Sequence, residues 1–175
     1  MRRLAFDAEV HGIAYSGKGV IKNVWPDDTD PLIAYYPRTN PNPAIQHSAQ
    51  LFDLQSWIPD VIVLTQGSVD FVAGADVDEL RAAYRTFVLD TLRARSPNTH
   101  IFMSILGMGG RGVIDDVARQ IIQERAAVGD TKMHVFIANP YTWDEMRACN
   151  SHGTPAWHLR IATELEAAIR PALGW

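Results

Sequence analysis

Asp60-Val61-Ile62-Val63-Leu64-Thr65, directly behind Pro59, is a near-continuous apolar run of strand length with no alternation. A strand with one wet face alternates apolar and polar residues. A run without alternation reads as a parallel strand covered on both faces. Downstream, Asp76 to Arg95 places Leu80, Ala83, Tyr84, Phe87, Val88 and Leu92 at helical spacing, with Asp76 as a plausible N-cap and Glu79 three residues on. Ser96-Pro97-Asn98 breaks that helix. His100 to Leu106 reads as a strand, Val113 to Ala127 as a helix, and Met133-His134-Val135-Phe136-Ile137 as another buried strand. The last helix is expected from Pro155 to Ala172, with Pro155 in its first turn. Upstream, Val10 to Tyr15 predicts an earlier strand. Strands alternating with helices imply βαβ units and a parallel sheet. Between Tyr15 and Asp60 lies a region carrying Pro26, Pro31, Pro37, Pro41 and Pro43. It is too long for an idle connection and is expected to wall a cleft, with a short helix near Ala44 to Leu51. No repeat or linker divides the sequence, so residues 1–175 are expected to form a single domain.

The composition supports a packed core: 47% of the 175 residues are hydrophobic. A net charge of -4 gives no electrostatic reason for a nucleic-acid partner or an anionic membrane. No stretch approaches the ~20 apolar residues of a membrane-spanning helix. Met1-Arg2-Arg3-Leu4-Ala5-Phe6-Asp7 has a basic pair but no apolar core behind it, so it does not read as a signal peptide. As the chain stands it reads as cytoplasmic; a signal lost upstream would make it secreted. Cys149 is the only cysteine, so no internal disulfide forms.

Ligands of such sheets bind beyond the carboxyl ends of the strands. The segments there are Ser16-Gly17-Lys18-Gly19, Gln66-Gly67-Ser68-Val69-Asp70-Phe71, Gly107-Met108-Gly109-Gly110-Arg111-Gly112 and Cys149-Asn150-Ser151-His152. The glycine loop fits G-x-G-x-x-G, but the next strand ends Ile137-Ala138-Asn139, without the acid a dinucleotide site wants there. It reads better as a cleft-side loop, and no cofactor is expected. His152 is either a general base toward a serine hydroxyl or a solvated loop histidine. Ser16 and Ser68 each follow a strand, yet neither sits in a G-x-S-x-G elbow. Ser16 to Gly19 reads as a tight turn whose N–H groups face an anion. Asp27, Asp28 and Asp30 lack the spacing of a calcium loop, and His11, His47, His100 and His134 lack metal spacing; no metal is expected.

Together these segments resemble the SGNH (G-D-S-L-type) hydrolases, and in particular carbohydrate esterase family 2. Ala14-Tyr15-Ser16-Gly17-Lys18-Gly19-Val20 with Asn23 is similar to that family's second block, and Tyr36-Pro37-Arg38-Thr39 to a segment before its central strand. Trp57-Ile58-Pro59-Asp60-Val61-Ile62-Val63-Leu64 followed by Gly67-Ser68-Val69-Asp70-Phe71 resembles its W-x-P-D-x-V-V-I strand and G-T-N-D-F block. Cys149-Asn150-Ser151-His152, with His158, Ile161 and Ala162, resembles its last block, and Gly174-Trp175 its ending. The resemblance implies a three-layer flavodoxin-like parallel sheet with helices on both faces. It also implies a serine esterase that deacetylates a carbohydrate ester.

On this resemblance His152 takes the position of the base, and Gly17, then Gly19, the second-block oxyanion donor. Val69 stands where the family has an oxyanion asparagine, and it has no side-chain donor. Asn150 stands in the position that orients the histidine, where many relatives have aspartate; some members instead use a Ser–His dyad oriented by a backbone carbonyl. The family's nucleophile lies in a G-D-S block on the first strand. Arg3 to Glu9 aligns with the end of the helix after that block, so the first strand and the serine are expected to be missing from this chain. The expected substrate is a small-molecule or carbohydrate ester, with a homo-oligomer as one way to cover the missing strand. An alternative implied function is a catalytically inactive relative that binds a carbohydrate or a protein. A third is that Ser16 or Ser68 has become the nucleophile.

Overall fold

A computed structural model describes residues 6–27, 30–38, 51–106 and 111–175. These fall into two compact units, Tyr15–Pro140 and a second made of Met1–Ala14 with Tyr141–Trp175. The glycine loop at 107–110, His47 and the short helix expected near Ala44 to Leu51 lie outside the described residues, apart from Leu51 itself.

In Tyr15–Pro140 the elements are α1 (Leu32–Tyr35), β1 (Val61–Leu64), α2 (Ser68–Val72), α3 (Val77–Thr86), β2 (His100–Ile105), α4 (Arg111–Ala127) and β3 (Met133–Ile137). The strands form one parallel sheet in the order β1-β2-β3, with Val61 opposite His100 and Ile101 opposite Met133. This is the expected α/β architecture. Leu64, Ile101 and Met103 of the sheet are buried in one core with Leu80, Tyr84 and Val88, and with Ile114, Val117 and Ile121 of α4. Asp76 caps α3 as its position predicts: one carboxylate oxygen accepts from the N–H of Asp78 at 3.0 Å and of Glu79 at 2.9 Å.

Two expectations are corrected. Val10 to Tyr15 forms no strand; it is irregular and exposed. A strand exists only where a neighbour completes its backbone hydrogen bonds, and none of the described strands pairs with it. The helix read from Asp76 to Arg95 is not uniformly α: Phe87–Arg93 is wound as a π-helix. That winding brings residues five apart into line, so Phe87 and Leu92, and Val88 and Arg93, are all buried.

Arg93 shows why the turn is useful. Its guanidinium donates to the carbonyls of Ser96 (3.1 Å), Pro97 (2.9 Å), Thr99 (2.9 Å) and Lys132 (3.2 Å), and pairs with Asp130 at 3.0 Å. It thereby ties the loop before β2 to the loop before β3. Burial lowers the Arg93 pKa, although Asp130 opposes this. Burial raises the Asp130 pKa, but the Lys132 N–H and Arg125 outweigh it and hold the carboxyl below its usual range. A point charge on a flexible stem cannot replace this fork. Arg93→Lys is therefore expected to lower unfolding free energy by about 2 kcal/mol in urea titrations; an unchanged midpoint would contradict the assignment.

At the same end of the sheet, Nδ1 of His100 lies 2.9 Å from Nε2 of His134. The rings are 5° from parallel with centroids 5.2 Å apart, the separation of two coplanar rings joined edge to edge by one N–H···N bond. The bond needs one nitrogen unprotonated. Desolvation lowers both pKa values, helped by Lys132 and Arg93 at His100 and by His100 and Arg93 at His134, while Asp130 opposes it at both. With folded pKa values below the unfolded ~6.5, the unfolded chain takes up protons first as pH falls. The melting temperature is therefore expected to fall as pH drops below about 6.5, with no contribution from this pair above that pH. The slope in this window should be shallower in a His100→Asn/His134→Phe variant.

Candidate functional site

The segments singled out by sequence lie in both units. In Tyr15–Pro140 the Ser16–Lys22 loop is fixed from below by one carboxylate. Asp70 of α2 is fully buried. Its Oδ2 accepts from Val20 N–H at 2.7 Å, and its Oδ1 accepts from Ile21 at 2.7 Å and Lys22 at 3.0 Å. Three amide donors thus converge on one buried charge. Gly19 is forced by this closeness, because a Cβ there would lie 2.1 Å from the Lys22 carbonyl oxygen and 2.6 Å from Asp70. Beside it, Asn23 Oδ1 accepts from Gly19 N–H at 3.2 Å while its amide donates to the Asp30 carbonyl at 2.8 Å. Lys18 is buried with its ammonium 4.0 Å from the Tyr35 ring centroid and donates to the same Asp30 carbonyl.

This network separates the two glycines expected at an oxyanion site. The Gly19 amide is committed to Asn23. Gly17, at φ +75°, accepts at its carbonyl from Val24 N–H (2.9 Å), and among the described residues its own N–H has no acceptor. Val69, part-buried in α2 beside Asp70, offers no donor. Ser16 is exposed and Ser68 opens α2. Asp30 is paired with Arg38 at 3.0 Å, and among the described residues no group of three His, Cys, Asp or Glu side chains could hold a metal. Asp70 was missed by sequence reasoning as a residue of interest, and so was the Asn23 bond; the only signal was an acid in a helix whose neighbours Val69, Phe71 and Val72 are apolar.

In the second unit, His152 stands on an exposed loop before α5 (Pro155–Leu173). Its Nδ1 lies 3.0 Å from the Cys149 carbonyl, which also accepts the His152 N–H at 3.2 Å. A carbonyl can only accept, so Nδ1 carries the proton of the neutral ring and the lone pair sits on Nε2. Nε2 has no partner among the described residues. Asn150 contributes its backbone, left-handed at φ 54° and ψ 40°, which turns the chain between Cys149 and His152. The loop is anchored on α5. Thr154 Oγ1 accepts from Trp157 N–H at 3.3 Å, and Thr154 N–H donates to the Glu145 carbonyl at 2.7 Å. The Glu145 carboxylate takes a bidentate pair from Arg160 at 2.6 and 3.0 Å, chiefly for which its pKa falls to about 2. His158, exposed, sits edge-on to buried Trp157, with ring centroids 4.9 Å apart.

No family profile and no curated protein matches this chain. Solved structures do, and they are family 2 carbohydrate esterases of SGNH type, matched over 91–98% of the chain. A family two carbohydrate esterase from Clostridium thermocellum in complex with cellohexaose is 23% identical with a TM-score of 0.77, covering 91% of this chain and 48% of that one. An acetyl xylan esterase from the rumen bacterium Butyrivibrio proteoclasticus is 24% identical with a TM-score of 0.78, over 98% of this chain and 54% of its own. A carbohydrate esterase family 2 enzyme with a carbohydrate binding domain from Corynascus thermopiles (Myceliophthora fergusii) is 26% identical with a TM-score of 0.70, over 91% and 51%. The chain thus spans about half the length of each and shares their fold.

Proposed function

We propose that this chain carries part of a carbohydrate esterase site, one domain in which His152 acts as general base and the Gly17 N–H as oxyanion donor. The observation that carries the reading is the Cys149 carbonyl on Nδ1 of His152, which leaves Nε2 as the basic nitrogen. This is what a Ser–His dyad needs when no aspartate is at hand: the carbonyl fixes the tautomer, and Nε2 takes the serine proton. In this reading Asn150 serves through its left-handed backbone rather than through its amide. The nucleophile is a serine of a G-D-S block, distinct from Ser16 and Ser68, and the substrate is an acetylated sugar. The esterase names of the matched structures support the substrate class.

A second reading, a relative that binds carbohydrate without cleaving it, is favoured by Val69, which leaves a oxyanion hole one side-chain donor short; such a loss costs ~10²–10³ in rate. Acetyl-ester turnover separates the two. It is measured with 4-nitrophenyl acetate and acetylated xylan on the product of the full reading frame around this sequence. Turnover above the buffer blank that survives Ser16→Ala and Ser68→Ala and is lost with His152→Ala supports the esterase. Absence of turnover with retained sugar binding supports the second reading.

A further inference from the structure

The loops before β2 and β3 enclose an open cavity of about 520 Å³ at the amino ends of the strands, the end of the sheet opposite α2. The acceptors around it are already occupied. The carbonyls of Ser96, Pro97, Thr99 and Lys132 accept from Arg93, and that of Asn98 accepts from Lys132 Nζ at 3.0 Å. At the end of α4 the left-handed Gly129, φ +83°, turns the chain back. The Arg125 carbonyl then accepts from Val128 and Asp130 N–H at 3.1 and 2.9 Å, and the Ala126 carbonyl from Gly129 N–H at 3.0 Å. Two carbonyls that would repel an anion at a helix C-terminus are thus covered. Asp130 is saturated as well: Oδ2 faces Nε of both Arg93 and Arg125 at 3.0 Å, and Oδ1 accepts the Lys132 N–H at 3.1 Å. The donors are in surplus. Among the described residues Arg125 Nη1 and Nη2 meet no acceptor, and Lys132 Nζ makes one hydrogen bond. Arg93, Arg125 and Lys132 surround the single carboxylate of Asp130, so two positive charges are in excess here, in a chain whose net charge is -4.

We propose that this cavity binds a phosphate group. A concave surface with surplus N–H donors and surplus positive charge selects a ligand rich in acceptor oxygens and negative charge. Two excess charges match a phosphate group, which carries about -1.5 to -2 at neutral pH, better than a single carboxylate. With Nε turned to Asp130, the outer edge of the Arg125 guanidinium presents Nη1 and Nη2 as a fork for two phosphate oxygens. Lys132 adds a point charge from the loop before β3. The bound anion therefore fastens the end of α4 to the start of β3. The proposal is independent of the esterase reading, because no residue of the Ser16–Lys22 loop or of the Cys149–His152 loop takes part.

Thermal unfolding of the chain in inorganic phosphate tests it, with sodium chloride at matched ionic strength as the reference. The expected Kd is about 1 mM, with a melting temperature raised by about 3 °C at a 10-fold excess over Kd. Arg125→Gln and Lys132→Gln are each expected to weaken phosphate binding about 5-fold or more. Arg119→Gln, which removes an exposed arginine of α4 outside the cavity, should leave Kd within about 2-fold. Phosphate also stabilises proteins by exclusion from their surface, but that part neither saturates nor depends on one arginine. A rise that does not saturate, or that Arg125→Gln and Lys132→Gln keep in full, overturns the proposal. Circular dichroism reports folding of each variant. If Arg125→Gln does not fold, Lys132→Gln decides alone, since its side-chain amide can still donate to the Asn98 carbonyl. Phenyl phosphate separates the two sources of the group: binding tighter than that of inorganic phosphate assigns the site to a phosphomonoester, weaker binding to the free ion.

Discussion

His152→Ala is expected to lower acetyl-ester turnover by about 10³-fold in any form of the protein that shows it, with the unfolding midpoint unchanged. The ring is exposed and among the described residues makes one side-chain hydrogen bond, to the Cys149 carbonyl, so its removal costs the fold little. Its chemical cost is large because no other group on that loop combines a fixed tautomer with an open basic nitrogen. Asn150 provides the companion test. Were its amide the orienting group, Asn150→Gly would damage turnover nearly as much as loss of the histidine. With the Cys149 carbonyl in that role, glycine, which accepts φ 54° without strain, should leave turnover within about 3-fold. Asn150→Val forces a branched side chain into the left-handed region and should cost far more. Steady-state rates on 4-nitrophenyl acetate distinguish these outcomes.

Asp70→Asn is expected to be the most damaging single substitution for stability, at about 4 kcal/mol by urea unfolding. The carboxylate meets Val20, Ile21 and Lys22 amides through two oxygens. An asparagine keeps one oxygen and turns an NH2 toward N–H donors, leaving buried amides without an acceptor. Glutamate is no remedy, because its extra methylene has no room where a Gly19 Cβ would already lie 2.6 Å from the Asp70 carboxylate. A variant that unfolds within about 1 kcal/mol of the unaltered chain would refute this account. Where the variant still folds, the freed loop should also lose its hold on Gly17, so amide exchange should quicken across residues 17–24.

The sheet and its helices were legible because their signals are local. The apolar run at Val61–Leu64, the Asp76 cap and the proline opening α5 each report on the backbone they occupy. The π-turn was not legible: Leu80, Tyr84, Phe87, Val88 and Leu92 satisfy an α period, and the residue that betrays the wider winding, buried Arg93, is charged. Val10 to Tyr15 misled for the opposite reason, since a strand-like composition says nothing of whether a neighbour is present. At the site, position alone brought His152 and Gly17 forward. What distinguishes Gly17 from Gly19, and a carbonyl from Asn150, are bonds to backbone atoms, which carry no residue identity to read. Asp70 was invisible in the same way, since its partners are amides 48–50 positions away.

The strand order β1-β2-β3 is also the order in which the ribosome makes the strands. Each new strand can therefore dock on the one just completed, with only the connecting helices in between, so these three strands can assemble vectorially from β1 onward. The Ser16–Lys22 loop follows a different timetable. It leaves the ribosome early with only its bonds to residues 23–32 to hold it, and gains its buried carboxylate anchor once Asp70 has followed it out, after β1.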